Sequence, residues 1–300
     1  AEATTALLRL LRNGCAHGET VQLALLERGA ILPPLRRLLD GVCELLAADA
    51  TDEPAAPLLA CGRTAAQLLG NLSVNCVKAQ ALLWAEGPPL IEKLCELPMA
   101  SMRELLPPAL MALHNCTHVL EYGDARLRLL LGDGSGGAAE AAATTWEGGN
   151  RRQFWWLIGS LALLRADGDD AAAVAEWPLL LLRSILLEGL WAPLVGAAGA
   201  LGPAARLEVH RVVEGLISDN EEGRAWREQW FAEGLGEKLG VPVVEALVPL
   251  LASAEDEAWW APEAGAAAPP PRCAELVCLL RTAAALAKDG AAPFLRGAAA

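Results

Sequence analysis

The segment HNCTH places two histidines, His114 and His118, four residues apart. Residues at this spacing share one face of an α-helix, so both imidazoles could reach the same metal ion. A zinc protease of this pattern needs a glutamate where Asn115 stands, and no third ligand is evident nearby. We therefore expect no catalytic residue, no metal and no cofactor. A metal-binding or hydrolytic enzyme that uses the two histidines is the alternative.

A second group of polar residues recurs along the chain. LLRNGCAHGETVQLALLERG and LLGNLSVNCVKAQALLWAEG share an asparagine, Asn13 or Asn71, followed nine residues later by glutamine. A third and less regular copy, LHNCTHVLEYGD, contains Asn115, with Asp124 at the position of the glutamine. Recurrence at a fixed pattern predicts repeated structural units.

The repeats predict helices. In GAILPPLRRLLD and GPPLIEKLCEL, glycine ends one helix and proline begins the next. Asn71 and Asn115 are 44 residues apart, within the period of about 40–47 residues typical of armadillo and HEAT repeats. Asn13 and Asn71 are 58 apart, lengthened by a loop-like insertion, AADATDEPAAP, from Ala47 to Pro57.

Composition supports the same fold class. Leucine and alanine dominate the 300 residues, whereas residues that favour strands are scarce, with one tyrosine and three phenylalanines. Single helical units cannot bury their apolar faces, so neighbouring units stack. We predict an all-α protein built as a right-handed armadillo/HEAT-like α-solenoid.

The three asparagines should lie in register on one side of this solenoid, because each ends an equivalent helix. We interpret Asn13, Asn71 and Asn115 as residues that cap or cross-link neighbouring helices, since buried amides usually bond to local backbone. In peptide-binding armadillo proteins, which these segments resemble, such asparagines bind an extended peptide, often beside a tryptophan four residues earlier. The residues at that earlier position here are Arg9, Gln67 and Met111. An importin-like peptide binder is therefore the second alternative.

Changes in composition divide the chain into five parts. Residues 1–131 form armadillo-like repeats, and 132–150, GDGSGGAAEAAATTWEGGN, read as a flexible Gly/Ala-rich linker. Residues 151–252 contain divergent helical repeats, 253–271 an acidic loop rich in proline and alanine, and 272–300 a terminal helix.

The ten tryptophans are a further source of candidate binding residues. Most should be core residues, but exposed aromatic side chains favour partner interfaces. Trp226 and Trp230 are four residues apart and share a helical face. They are our second candidate surface for binding other proteins.

Charge and hydropathy disfavour two other classes of protein, those that bind nucleic acid and those that span a membrane. The net charge is −13 and basic residues occur only in small clusters, so nucleic-acid binding is not expected. The most apolar segment begins at Trp177 and is interrupted by Arg183 and Glu188 before it reaches the length of a membrane span. We expect it to be a buried helix pair.

Eight cysteines occur at irregular spacings in apolar helical contexts. A disulfide scaffold would be smaller and richer in loops. Free, buried thiols in a reducing compartment fit better, and we expect a cytoplasmic protein.

The ordered set of LLRLLRNGCAHGETVQ, CGRTAAQLLGNLSVN, EWPLLLLRSILLEG and LEVHRVVEGLISDN is similar to the ataxin-10 family of armadillo-like proteins. The similarity runs over most of the chain. The EWPL segment and the ISDN helix are more particular to this family than the first two. The family's C-terminal pair of repeats should follow the last helix, whereas this chain ends at FLRGAAA.

The resemblance implies a non-catalytic adaptor linked to cytokinesis or signalling. It also implies partners such as G-protein β subunits, mitotic kinases and a sugar-adding transferase. Homo-oligomerisation is possible in the family, but any form of it that depends on the C-terminal repeats is not expected to transfer.

Overall fold

A computed structural model describes residues 2–28, 30–48, 56–84, 87–118, 123–131, 171–217, 228–254 and 270–288. Every regular element within these ranges is helical and none is a strand. The prediction of an all-α protein is therefore confirmed. The chain divides into two compact units, Ala1–Leu181 and Leu182–Ala300.

The first unit contains eight α-helices among its described residues and the beginning of a ninth, which runs into the second unit. They are α1 Glu2–Cys15, α2 Glu19–Leu23, α3 Leu32–Ala48, α4 Ala56–Ser73, α5 Val77–Trp84, α6 Gly87–Cys95, α7 Met99–Thr117, α8 Gly123–Leu131 and α9 Ala171–Leu187. A π-helical turn, Ala24–Arg28, continues directly from α2.

The second unit begins within α9. Its other helices are α10 Trp191–Ala200, α11 Pro203–Ile217, α12 Leu235–Ser253 and α13 Pro271–Lys288, and residues 228–232 are also helical. Helix α13 packs against both α11 and α12.

The core of the first unit is centred on α4, which packs against α1, α3 and α7. Small residues make this close packing possible. A Cβ atom on Gly62 would lie 2.8 Å from Val42 Cγ1 and 3.1 Å from Leu105 Cδ2. Leu68, Leu72 and Leu105 are completely buried. Helix α4 is thus the element that fixes α1, α3 and α7 with respect to one another.

Several predicted boundaries can be compared with the structure. The insertion from Ala47 to Pro57 is helical at both ends, because α3 continues through Ala48 and α4 begins at Ala56. The predicted linker 132–150 lies outside the described residues, as do residues 151–170 of the predicted helical repeats. Most of the predicted loop 253–271 does too, although Ser253 is still part of α12 and Pro271 begins α13.

The cysteines are free thiols, and seven of the eight are buried, Cys95 being half-buried. This agrees with the prediction of free, buried thiols. No single helix among the described residues has both the length and the apolar character needed to cross a membrane. The segments Glu176–Leu187 and Trp191–Ala200, bent by 119°, meet these criteria only when taken together.

Candidate functional site

The three repeated asparagines occupy equivalent positions in three helices of the first unit. Asn13 lies in the last turn of α1, Asn71 in that of α4 and Asn115 in that of α7. Helix α4 packs between α1 and α7, so the C-terminal ends of the three helices are neighbours. We call the side of α1, α4 and α7 that carries these residues the asparagine face.

Two of the asparagines connect successive helices in the same way. Asn71 Nδ2 donates to the backbone carbonyl of Arg12 at 3.2 Å. Asn115 Nδ2 donates to the backbone carbonyl of Gly70 at 3.3 Å. Each acceptor is the residue immediately before the asparagine of the preceding copy. The two bonds are therefore related by one repeat, and the helix ends are in register.

Ser73 strengthens the second of these connections. Asn115 Nδ2 also lies 3.0 Å from Ser73 Oγ, which itself donates to the carbonyl of Gly70 at 2.6 Å. The last turn of an α-helix has carbonyl groups without intrahelical partners. Side chains from the next unit thus bond to the C-terminal end of α4.

The glutamines of the repeat bind the same helix end. Gln22 Nε2 donates to the carbonyls of Asn71 and Val74 at 2.8 and 2.9 Å, and Gln80 Nε2 donates to that of Ser73 at 2.8 Å. Both glutamine side chains are buried. The end of α4 is therefore bonded from the units on both sides of it in sequence.

In the third copy, Arg126 donates to a backbone carbonyl at a helix end, as Gln80 does in the second copy. Arg126 is buried, and its Nη1 donates to the carbonyl of Cys116 in the last turn of α7 at 2.6 Å. Its guanidinium also lies 5.2 Å from the ring centroid of Trp84, a cation–π contact. The sequence analysis placed Asp124 at the position of the glutamine because it lies nine residues after Asn115. Arg126, two residues after Asp124, has a longer side chain that reaches a backbone carbonyl in the last turn of α7.

The asparagine face is only partly engaged in these internal bonds. Asn71 and Asn115 are half-buried, whereas Asn13 is exposed and accepts hydrogen bonds from its neighbour Arg12 at 3.2 and 3.3 Å. Arg12 also donates to Gln67 Oε1 on α4. Among the described residues, the only hydrogen bond of the Asn71 amide is the one to Arg12, so its oxygen remains available to a partner.

The residues four positions before the asparagines extend this face. Arg9 is exposed, and Gln67 and Met111 are half-buried. One helical turn before Gln67, Arg63 forms an ion pair with Glu104 of α7, and both side chains are more than 40% exposed. The face thus combines amide, basic and apolar groups at helical spacing.

His114 and His118 are stacked on each other. Their ring centroids are 5.4 Å apart with an interplanar angle of 15°, and the Trp177 ring lies 5.8 Å from that of His114. Parallel stacking does not direct two ring nitrogens at one point, as chelation would need. Within the described ranges, no three His, Cys, Asp or Glu side chains are grouped so that they could hold a metal ion.

The second predicted surface is not assembled on the described residues. Trp230 is completely buried, so its ring belongs to the core of the second unit and is not exposed for a partner. Trp226 lies outside the described residues. The spacing of four residues predicts that both rings lie on one helical face. It does not predict whether that face is buried or exposed.

The second unit contains a buried charged cluster that the sequence analysis did not single out. Glu275 of α13 accepts a hydrogen bond from Arg206 Nη2 at 2.9 Å, and Arg206 Nε lies 2.8 Å from its other oxygen. His210 Nε2 is 3.1 Å from Glu275 Oε1, and the His210 ring is 5.3 Å from that of Trp191. These contacts join α11 to α13.

Opposing effects act on the pKa of Glu275. Burial raises the pKa, but hydrogen bonds from His210 and Arg206, together with the charge of Arg206, outweigh it. The pKa of Glu275 consequently lies below its usual value, and the carboxylate is ionised at neutral pH. A stable ion pair of this kind connects helices, and its carboxylate lacks the raised pKa of a general acid.

No family model, curated protein or solved structure gives a significant match to this chain.

Proposed function

We propose that this chain is a non-catalytic scaffold that binds other proteins through the asparagine face of its first unit. The observation that carries the proposal is the register of Asn71 and Asn115, each bonded to the carbonyl that precedes the asparagine of the preceding copy. Side chains held in register on successive helices form a continuous surface with a regular spacing. Extended or helical partners can bind such a surface along several units.

We further propose that the units belong to a right-handed armadillo-like solenoid of the ataxin-10 type. The 44-residue interval, the helix order within each unit and the equivalent asparagine bonds support this arrangement. A role as a cytoplasmic adaptor in cytokinesis or signalling, able to form homo-oligomers, follows from that assignment.

The composition of the face favours an acidic or amide-rich partner. Arg9, Arg12 and Arg63 contribute positive charge on a chain whose net charge is −13, although Glu104 neutralises part of it. Opposite charges across an interface raise the association rate and fix the orientation of the partner.

Affinity capture with matched variants tests the proposal. The tagged chain and the double variant Arg9→Glu/Arg63→Glu are expressed in cells of the source organism, and bound proteins are quantified by mass spectrometry. The control, Arg37→Glu/Lys78→Glu, reverses two exposed basic residues on α3 and α5, helices of the first unit that do not form the face, and changes the net charge equally. We expect a set of proteins that is retained by the control and lost by the Arg9/Arg63 variant. Equal capture by both variants would contradict the assignment of the face.

An importin-like mode, in which the asparagines bond to the backbone of an extended peptide, is the second candidate. The free oxygen of the Asn71 amide favours it. Asn13→Ala distinguishes the two, because Asn13 is exposed and contributes little to packing. If the captured partner is lost on Asn13→Ala, the amides themselves bind the peptide. If the captured partner is lost only in the Arg9→Glu/Arg63→Glu variant, the asparagine amides serve to align the helices.

A further inference from the structure

All three methionines of the chain lie on α7, in three different environments. Met99, the first residue of the helix, is 44% exposed, whereas Met102 is only 4% exposed. Met111 is half-buried on the asparagine face. A thioether is oxidised to a sulfoxide when a peroxide reaches its sulfur. Exposure therefore admits oxidant to Met99 and Met111, while the core protects Met102.

The side chain of Met111 lies against the backbone of α4. A Cβ atom on Gly70 would be 2.9 Å from Met111 Sδ, 3.3 Å from its Cγ and 3.5 Å from its Cε. Because glycine has no Cβ atom, the thioether occupies the space that a side chain would take. An oxygen atom added to this sulfur therefore changes a close contact between α4 and α7.

Gly70 also accepts the hydrogen bond that joins the ends of these two helices. Asn115 Nδ2 donates to the Gly70 carbonyl at 3.3 Å and lies 3.0 Å from Ser73 Oγ. Met111 and Asn115 are four residues apart on α7, so they are neighbours on one face of the helix. The Met111 thioether and the Asn115 amide thus meet α4 at the same residue.

We propose that Met111 is a site of reversible oxidation by hydrogen peroxide, and that its sulfoxide loosens the joint between α4 and α7 by drawing the Asn115 amide away from the Gly70 carbonyl. In the reaction, a lone pair on Sδ attacks one oxygen of the peroxide, the O–O bond breaks and an S–O bond forms. The second oxygen leaves as hydroxide and takes the proton from the first, which yields water. The sulfur is oxidised and the peroxide is reduced.

The new oxygen changes the hydrogen bonding at this joint. A thioether is a weak acceptor, whereas a sulfoxide oxygen is strongly polar and costly to leave without a donor in a half-buried site. The Asn115 amide, one turn later on the same helix, is positioned to donate to it. Its present bond to Gly70 is 3.3 Å long, beyond the usual range for N–H···O bonds, and is therefore readily exchanged. The exchange removes a cross-link between the helix ends.

This inference goes beyond the proposed function, since it concerns a joint within the first unit and requires no bound partner. Oxidation followed at each methionine is its first test. The full chain is treated with hydrogen peroxide for timed intervals, and catalase stops the reaction. Dithiothreitol then returns disulfides and sulfenic acids to thiols without reducing sulfoxides.

Tryptic peptides report the three methionines by mass spectrometry. Peptide 104–126 contains Met111, and peptide 94–103 contains Met99 and Met102, which fragment ions distinguish. In the folded chain we expect the sulfoxides of Met99 and Met111 to form well before that of Met102. In urea all three should form at similar rates.

Urea unfolding before and after oxidation measures the effect on the joint. Met111→Leu keeps a similar side-chain volume without the sulfur, and Met99→Leu is the matched control on the same helix. We expect oxidation to lower the urea midpoint of the unmodified chain and of Met99→Leu equally, and to leave that of Met111→Leu unchanged. Reductases for both sulfoxide epimers should restore the lost midpoint.

Asn115→Ala tests the route through the amide. Oxidation should lower its midpoint less than that of the unmodified chain, because the amide that the sulfoxide draws away is already absent. Met111→Leu keeps the proposal falsifiable if Asn115→Ala does not fold.

The proposal is overturned if Met111 is oxidised no faster than Met102, or if the oxidised unmodified chain keeps its midpoint. It is also overturned if the reductases do not restore the midpoint, or if Met111→Leu or Asn115→Ala loses as much on oxidation as the unmodified chain does. These measurements use no partner, so this proposal and capture through the asparagine face can fail separately.

Discussion

Asn71 Nδ2 donates to the backbone carbonyl of Arg12, which is 59 residues earlier in the chain. This bond joins the last turn of α4 to the last turn of α1. Asn71→Ala should lower the free energy of unfolding by roughly 1–3 kcal/mol, because the Arg12 carbonyl loses its partner in a half-buried site. Urea unfolding followed by circular dichroism measures the change.

Asn13→Ala is the matched control for this prediction. It removes the same amide at the equivalent position of α1, but Asn13 is exposed, and among the described residues its side chain bonds only to its neighbour Arg12. Its effect should stay within about 0.5 kcal/mol, as for most surface substitutions. Equal stabilities of Asn71→Ala and the unmodified chain would show that Asn71 does not cross-link the helices.

Gly62 should be intolerant of alanine, whereas Gly41 should accept it. A Cβ atom at Gly62 would lie 2.8 Å from Val42 Cγ1, and the β-branched valine has little freedom to move away. Overpacking at Gly62 should cost about 1–3 kcal/mol. At Gly41 no atom of the described part of the chain lies within 4 Å of the added atom, so Gly41→Ala should stabilise α3 by roughly 0.5–1 kcal/mol. Thermal melts that shift in the same direction for both variants would refute this packing.

Cys95 should react first with iodoacetamide in the folded protein. It is half-buried, whereas the other seven cysteines are buried. Burial raises the pKa of Cys15, Cys43 and Cys278 to about 11 and that of Cys116 to about 12. Thiolate is the reactive form, so these four thiols remain almost entirely unreactive near pH 8.

Mass spectrometry of tryptic peptides after timed alkylation identifies the labelled cysteine. In urea all eight should react, which shows that folding protects them.

The raised pKa values of the buried thiols also have a consequence for stability. Since the unfolded thiols ionise near pH 9 and the folded ones only near 11 to 12, the free energy of unfolding should fall as pH rises above about 9. Early labelling of Cys116 would contradict its burial.

Glu275 should make the second unit sensitive to acid. Its pKa is lowered in the folded state, so its contribution to stability is present above the usual value of 4.5 and is lost as pH falls through the folded pKa. The free energy of unfolding should therefore decrease with acidification less steeply in Glu275→Gln than in the unmodified chain. Glu275→Gln should also be less stable at neutral pH, by about 1–3 kcal/mol, because Arg206 and His210 lose a charged partner.

Urea unfolding at several pH values between about 3 and 7 measures both effects. Glu245→Gln is the control, since Glu245 is an exposed glutamate on α12. Its pH dependence should match that of the unmodified chain. Identical acid slopes for all three proteins would mean that Glu275 is not stabilised by the cluster.

The helical repeats and the buried thiols could be predicted because the residues that indicate them are close together in the sequence. Periodic leucines, terminal glycines and recurring asparagines each lie within one unit. The acceptor of each asparagine could not be predicted, because Arg12 and Gly70 take part through backbone carbonyls that carry no sequence signature. The cluster of Arg206, His210 and Glu275 was missed for a related reason. Arg206 and His210 on α11 are 69 and 65 positions away from Glu275 on α13, and no repeat marks them in the sequence.

The first two asparagine intervals differ in length but end in equivalent hydrogen bonds. The interval from Asn13 to Asn71 is 58 residues and that from Asn71 to Asn115 is 44, yet the two asparagine bonds are equivalent. The long helix before α4 is also longer than the one before α7, since α3 has 17 residues and α6 has 9. The bonds between the helix ends are therefore made across intervals of different length. The chain between α2 and α4 can therefore be longer than that between α5 and α7 without displacing the bonds that align the ends of α1, α4 and α7.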